Sequence, residues 1–298
     1  MIGTLGGLKD RLQELEPKKI AVAGAADQDI MDVILYCLAY NHFKFVLIDD
    51  KNKLSTLLQK NNIDESKHEI VDIADHKKAA EAAVALAKQG KCDAIMKGNL
   101  HTAEIFKAVL NKETGISSGK ILSEITICNK PNGSGLLLMT DCAISISPTT
   151  EEKIAILENA VQLAHKLGFE KPKVALLSAL ELVNPKIPFT QEAAIICKMA
   201  ERGQIKGCIV DGPLALDNIL CSHSAAQKGI KSLVAGYADI IVAPDLQVAN
   251  VLHKSVVFFG KQDVACAIVG ANVPIIATSR SDSPETKQLS VALALLTA

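Results

Sequence analysis

Arginine is scarce in this chain, with Arg11, Arg202 and Arg280 the three among 32 basic residues. Arg280 has the setting best suited to chemistry. An apolar run, Val273 to Thr278, reads as a buried strand, and Ser283-Pro284-Glu285 reads as a helix start with Ser as N-cap and Pro at the first helical position. Between them, Ser279-Arg280-Ser281 offers hydroxyls, backbone N–H groups and a forked cation to one small anion. The sequence thus points to an oxyanion site; the competing reading is a salt bridge at a strand end. Arg11, in an amphipathic N-terminal stretch, and Arg202, in a polar Glu-Arg-Gly turn, have blander settings.

Other polar residues fall where apolar runs stop. Lys97-Gly98-Asn99-Leu100-His101-Thr102 leaves a strand and enters a helix. Gly98 lets backbone come close to a ligand, while Asn99, His101 and Thr102 supply donors at a helix N-terminus. The same string also suits a plain capped start, with Thr102 as cap and His101 solvated. Lys107, further along that helix, adds a charge or lies on a solvated face. Asp141 closes GLLLMTD, Asp211 and Asp217 flank a Gly-Pro turn in VDGPLALDN, and Pro244-Asp245 closes VAPD. Together these four aspartates read as the rim of one cleft, although each alone suits a turn.

The elements that would position these residues alternate along the chain. Runs of five to seven apolar residues read as strands, and segments of helical period lie between them, including Gln28–Tyr40, Lys77–Lys88, Thr150–Leu167, Asp263–Val269 and Glu285–Leu296. Such alternation predicts an α/β fold with mostly parallel sheets covered by helices, whose ligands bind beyond the carboxyl ends of the strands. Gly115–Lys120 is the best boundary candidate, so residues 1–118 are expected to form a first lobe and 119–270 a second, with 271–298 returning to the first. Lys130–Gly135 (KPNGSG) suits a hairpin or exposed loop, and Thr149 with Glu152 forms a capping box.

Several function classes are disfavoured. KKIAVAGAADQDI followed by FKFVLIDD looks like a dinucleotide unit, but only Gly24 stands where G-x-G-x-x-G is wanted. A net charge of −1, 3% aromatics and no Trp argue against nucleic acid as a partner. No apolar run approaches the length of a membrane span, and the N-terminus lacks the basic-then-apolar order of a signal peptide, so a cytoplasmic location is expected. The eight cysteines are well separated and the seven histidines scattered, which gives no metal-ligand spacing. Mostly buried, reduced thiols are expected, with Cys142 the least implausible nucleophile. A mean hydropathy of +0.23 suggests a homo-oligomer, dimeric or larger.

KGNLHT at 97–102, TDCAISISP at 140–148, VDGPLALDN at 210–218, VAGYADIIVAPDLQVANVLHKS ending at 255 and VPIIATSRSDS at 273–283 together resemble the phosphate acetyl/butyryltransferase family. VDGPLALDN and SRSDS look most like its butyryl branch. The resemblance implies an isocitrate dehydrogenase-like fold with a cleft between two lobes. It also implies reversible transfer of a short acyl group between coenzyme A and inorganic phosphate, by direct attack in a ternary complex. Acyl-CoA and phosphate are then the partners, with coenzyme A as substrate or product and no bound cofactor or metal. Ser279 and Arg280 would bind phosphate or the thioester oxygen, and Asn99, His101, Thr102, Asp141 and the stretch with Pro244, Asp245, Asn250 and Lys254 would lie at or near the cleft as substrate-binding residues; the strand-end reading adds Lys107, Asp211, Ser281 and Ser283 to them. Acetyl-type relatives carry an Asp where this chain has Thr286, and an Arg where it has Lys107. The thiol base then falls to Asp282 or Glu285. The rival readings are a phosphate acetyltransferase, a nicotinamide-dependent dehydrogenase of the same fold, and a non-catalytic sensor of CoA or acyl phosphate.

Overall fold

The computed structural model describes residues 2–39, 43–133, 135–278 and 282–298. In chain order the elements begin with α1 (Leu5–Leu12), β1 (Lys18–Ala23), α2 (Gln28–Leu38), β2 (Phe43–Asp49), α3 (Lys51–Lys60), β3 (Glu69–Asp72), α4 (His76–Lys88), β4 (Ala94–Lys97) and α5 (Thr102–Val109). They continue with β5 (Ser123–Asn129), β6 (Leu136–Thr140), α6 (Thr150–Lys166), β7 (Lys173–Leu177), α7 (Pro188–Glu201), β8 (Ile209–Leu214), α8 (Leu216–Leu220) and α9 (Ser222–Gln227). The last are β9 (Ile240–Val242), α10 (Leu246–Phe258), β10 (Ala265–Val269), β11 (Ile275–Ile276) and α11 (Pro284–Thr297). Two compact units result, a first of residues 6–120 and 265–298 and a second of residues 1–5 and 121–264.

In the first unit the strands run in the order β3-β2-β1-β4-β11-β10. All neighbours are parallel except β10 and β11. β1 is buried from Ile20 to Ala23, which explains a continuous apolar run where a half-exposed strand would alternate. α11 carries Leu289, Val291, Leu293 and Leu295, all buried, and packs on β10, β11 and α2. Burial of each such Leu contributes about 1.5–3 kcal/mol, so this helix is a main source of cohesion in the unit. Its start follows the sequence reading: Ser283 is N-cap, its hydroxyl accepts the Thr286 N–H at 3.0 Å, and Pro284 opens the helix.

In the second unit the order is β5-β6-β9-β7-β8. β5 and β6 form an antiparallel hairpin and the remaining neighbours are parallel. The hairpin turns at Lys130, whose N–H reaches the Gly135 carbonyl at 2.8 Å. α6 opens with the expected capping box of Thr149 and Glu152. The α/β, mostly parallel architecture predicted from the sequence is the one observed. Among the described residues no helix is long and apolar enough to cross a membrane.

One local expectation fails here. The stretch read as a helix at 263–269 is the strand β10, since a five-residue apolar run, ACAIV, is too short for a stable helix and pairs with β11 instead. The segment after Pro244-Asp245 forms the 13-residue α10, whose outer face is apolar as well.

Candidate active site

The parallel register of β1, β4 and β11 puts their carboxyl ends on one edge of the first unit, with Ala23 beside Lys97 and Ile276 beside Met96. Each strand is followed along the chain by a helix, so the N-termini of α2, α5 and α11 follow from this edge. Gly98 is required where the two chain turns meet. Its N–H bonds the Ala23 carbonyl at 2.8 Å, Asn99 N–H bonds the Gly24 carbonyl at 2.7 Å, and a Cβ at 98 would stand 2.1 Å from the Gly24 oxygen. The close approach expected at Gly98 is therefore to Gly24 backbone. Gly24 itself adopts a φ of +70°, a region glycine enters at little cost.

A recess of about 30 Å³ opens at this edge, lined by Asp27, Asp29, Lys97, Asn99, Thr278 and Lys287 among others. Lys287 pairs with Asp29 at 2.7 Å, and Lys97 Nζ donates to the carbonyls of Gly98 and Leu100 at 3.1 and 3.3 Å. The lining therefore carries two ammonium groups and two carboxylates, Asp27 and Asp29, with both lysines engaged. Sequence reasoning missed Lys287, a helix residue with no motif around it, and passed over Lys97 as the end of a strand. Ser279, Arg280 and Ser281 lie outside the described residues; the neighbouring Thr278 lines the recess.

Of the other predicted residues in this unit, Asn99, His101, Thr102 and Lys107 are all exposed. The cap of α5 is His101, not Thr102: the Glu104 carboxylate reaches back to the His101 N–H at 3.0 Å, and Thr102 is the first helical residue. Thr286 is buried in the first turn of α11, and Glu285 is held by Lys9 at 2.6 Å, whereas Asp282 is half-buried just ahead of the helix. The acidic end of β2 is also spent on backbone. Asp49 accepts the N–H groups of Ala26 and Asp50 at 2.9 and 2.7 Å, and Asp50 caps α3 through Lys53 N–H at 3.0 Å. Neither carboxylate is poised for a ribose.

In the second unit Asp141 is buried and accepts four backbone N–H groups: Glu124 at 3.0 Å, Ala143 and Ile144 at 3.2 Å, and Ser145 at 2.8 Å. This carboxylate fixes the loop after β6. Asp211 accepts its neighbour Gly212 N–H at 2.8 Å, Asp217 lies on α8 and shares Lys228 with Glu181, and Asp245 caps α10 through Val248 N–H at 3.0 Å. The four aspartates expected to rim one cleft are thus each engaged locally; Asp211 and the Gly212-Pro213 pair lie inside β8, not in a turn, and Asp217 lies on α8, not at a strand end. Pro244 lines a small recess with Leu176, Phe189, Ile196 and Val242. Asn250 donates to the Cys142 carbonyl at 3.2 Å, and Lys254 is half-buried.

Two features of this unit escaped the sequence. Ser178 Oγ and Asn218 Oδ1, after β7 and on α8, are buried with no partner among the described residues. Thr126 joins His253 Nδ1 at 2.9 Å and the Glu124 carboxylate at 3.3 Å, linking α10 to β5. Cys142 is buried, and burial, reinforced by the Glu124 and Asp141 charges, pushes its thiol well above the usual range, so it is no nucleophile at neutral pH.

The fold is α/β, and the recess at its strand ends sets two lysines and two aspartates side by side. Comparison with known proteins narrows this. The family model described as phosphate acetyl/butaryl transferase matches residues 76–295. A phosphate butyryltransferase of Clostridium beijerinckii is 41% identical over 291 residues, covering 98% of this chain and 96% of that one. A phosphate acetyltransferase of Thermotoga maritima is 40% identical over 276 residues, covering 93% and 94%. A branched-chain phosphotransacylase from Enterococcus faecalis V583 has a solved structure with a TM-score of 0.83 at 33% identity, covering 94% of this chain and 98% of that one. The chain belongs to the phosphate acetyl/butaryl transferase family, and is therefore an enzyme, a transferase.

Proposed function

We propose that the chain catalyses acyl-CoA + phosphate ⇌ acyl phosphate + CoA, with butyryl the favoured acyl group. The observation that carries this reading is the 41% identity to a phosphate butyryltransferase over nearly the whole chain. Acetyl transfer is the second reading, favoured by the 40% identity to the Thermotoga maritima enzyme. A phosphate oxygen attacks the thioester carbonyl carbon, the C–S bond breaks, and the sulfur leaves as thiolate and takes up a proton. No covalent acyl-enzyme is formed.

Arg280 and Ser279 are assigned to the phosphate and the developing oxyanion, with Ser281 beside them. A preorganised donor of this kind contributes about 3–4 kcal/mol to lowering the barrier. Lys97 and Lys287 would add positive potential, while Asn99, His101, Thr102 and Lys107 would hold the substrates along the same edge. In the reverse direction a base must take the thiol proton. Asp282 is assigned this role, as the carboxylate that directly follows Ser279-Arg280-Ser281 in the sequence. Holding both substrates together supplies much of the remaining acceleration. The enzyme is assigned to the cytoplasm, where acyl-CoA is available.

The test is release of free thiol from acetyl-, propionyl- and butyryl-CoA by the purified chain. Release should require added phosphate, should not require a nicotinamide, and should be fastest with butyryl-CoA. Equal release without phosphate would indicate a thioesterase and contradict the reading, and fastest release from acetyl-CoA would favour the acetyl alternative.

A further inference from the structure

A cavity of about 220 Å³ opens in the second unit, against about 30 Å³ for the recess beyond β4. Lys130 and Asn132 line it from the hairpin turn that leads into β6, Lys173 opens β7, and Asp239 immediately precedes β9. β6, β9 and β7 are parallel neighbours, so these residues gather at the amino ends of the strands. Ligands of open α/β sheets are held at the carboxyl ends instead. The cavity shares no lining residue with those assigned to acyl transfer.

Its charges are unevenly matched. Lys130 Nζ donates to one Asp239 oxygen at 2.7 Å, with both side chains largely buried. The other Asp239 oxygen accepts the Lys173 backbone N–H at 2.9 Å, so that carboxylate is engaged on both sides. The Lys173 ammonium lies 5.0 Å from the centre of the Tyr237 ring, and among the described residues no carboxylate pairs with it. Elsewhere in the unit Lys153 pairs with Glu192, and Lys228 with Glu181 and Asp217. Two lysines against one aspartate leave the lining one positive charge in excess. A cation resting on a ring keeps its charge and its N–H donors for an anion. Much of the remaining wall is apolar, with Ile219 and Ala238 buried and Leu220 and Pro131 beside them.

We propose that this cavity is a second ligand site, for a short-chain carboxylate whose anionic end meets Lys173 and whose hydrocarbon part lies on Ile219 and Leu220. One excess positive charge matches a monoanion. A phosphate monoester would bring a second negative charge that the lining leaves unpaired. The volume equals that of about seven waters at liquid density, which admits roughly six to eight non-hydrogen atoms and excludes coenzyme A.

Reductive methylation of the purified full chain with peptide mass mapping reads the site, with sodium butyrate and inorganic phosphate as probes. Butyrate, at a Kd of about 1 mM, should slow methylation of Lys173 several-fold when present at about 10 mM, while exposed Lys44 reacts as before. Phosphate at the same concentration should leave Lys173 unprotected. No protection by butyrate, or equal protection by phosphate, would overturn the proposal. In Lys173→Met, which keeps an apolar stem against Tyr237 but loses the charge, Lys130 reports occupancy. Butyrate affinity should fall at least ~10-fold in that variant and return in Lys173→Arg. Both variants should keep the wild-type kcat and melting temperature. Unchanged affinity in the Met variant, or a fall in its kcat, would overturn the proposal as well. Should the Met variant not fold, the protection of wild-type Lys173 decides.

Discussion

The strand ends after β6 and β9 of the second unit and after β4 of the first are all polar in sequence and differ in how their polar groups are used. After β6 and β9, Asp141 and Asp245 accept backbone N–H groups and hold their own loops. After β4, by contrast, Asn99, His101 and Thr102 are exposed at an edge that also gathers Lys97, Thr278 and Lys287. Residue type at a strand end therefore does not identify a ligand site. A buried carboxylate saturated by N–H groups has little left to offer a substrate, whereas exposed donors beside helix N-termini do.

The sharpest attempt to break this contrast is Asp141→Ala. Removing a buried carboxylate that four N–H groups donate to should destabilise the protein by about 3 kcal/mol. The melting temperature should fall by roughly 5–10 °C, with KM for phosphate nearly unchanged in the surviving folded enzyme. A large rise in that KM at unchanged melting temperature would return Asp141 to the ligand site. Gly98→Ala should have the next largest effect, about 1–3 kcal/mol by thermal melting, because the new Cβ would collide with the Gly24 carbonyl. An unperturbed Ala variant would remove the argument that this edge is held by backbone crossing.

Thiol labelling sharpens the contrast at smaller scale. Cys221 is exposed, and hydrogen bonds from the Ser224 hydroxyl and nearby backbone lower its pKa. Cys142 is buried with a raised one. Iodoacetamide at neutral pH, followed by peptide mass mapping, should modify Cys221 first and leave Cys142 intact with activity retained. Loss of activity in step with Cys142 modification would revive the cysteine nucleophile. The smallest effect is expected at Asp217, an exposed partner of Lys228. Asp217→Asn should leave melting temperature and kcat within error, and a large loss of kcat would show that the aspartate acts on substrate.

Much of this was legible in the sequence because parallel strands buried on both faces must be continuous apolar runs, as β1 and β7 are. Caps with a distinct chemistry, Thr149 and Ser283, were legible for the same local reason. β10 was hidden because five apolar residues fit either element. Arg280 stood out by rarity and by the serines around it. Lys287 and the Glu124–Thr126–His253 link did not, since only the fold brings such separated residues together.

The most direct test of the central claim is the steady-state kinetics of Arg280→Ala and Arg280→Lys, measured beside their melting temperatures. The Ala variant should lose about 10²–10³ in kcat, and kcat/KM for phosphate should fall with it. The Lys variant, which keeps the charge but loses the fork, should lose at least ~10-fold. Both should melt with the wild type. A well-folded Ala variant with near wild-type kcat would contradict the account and make Arg280 a structural salt bridge.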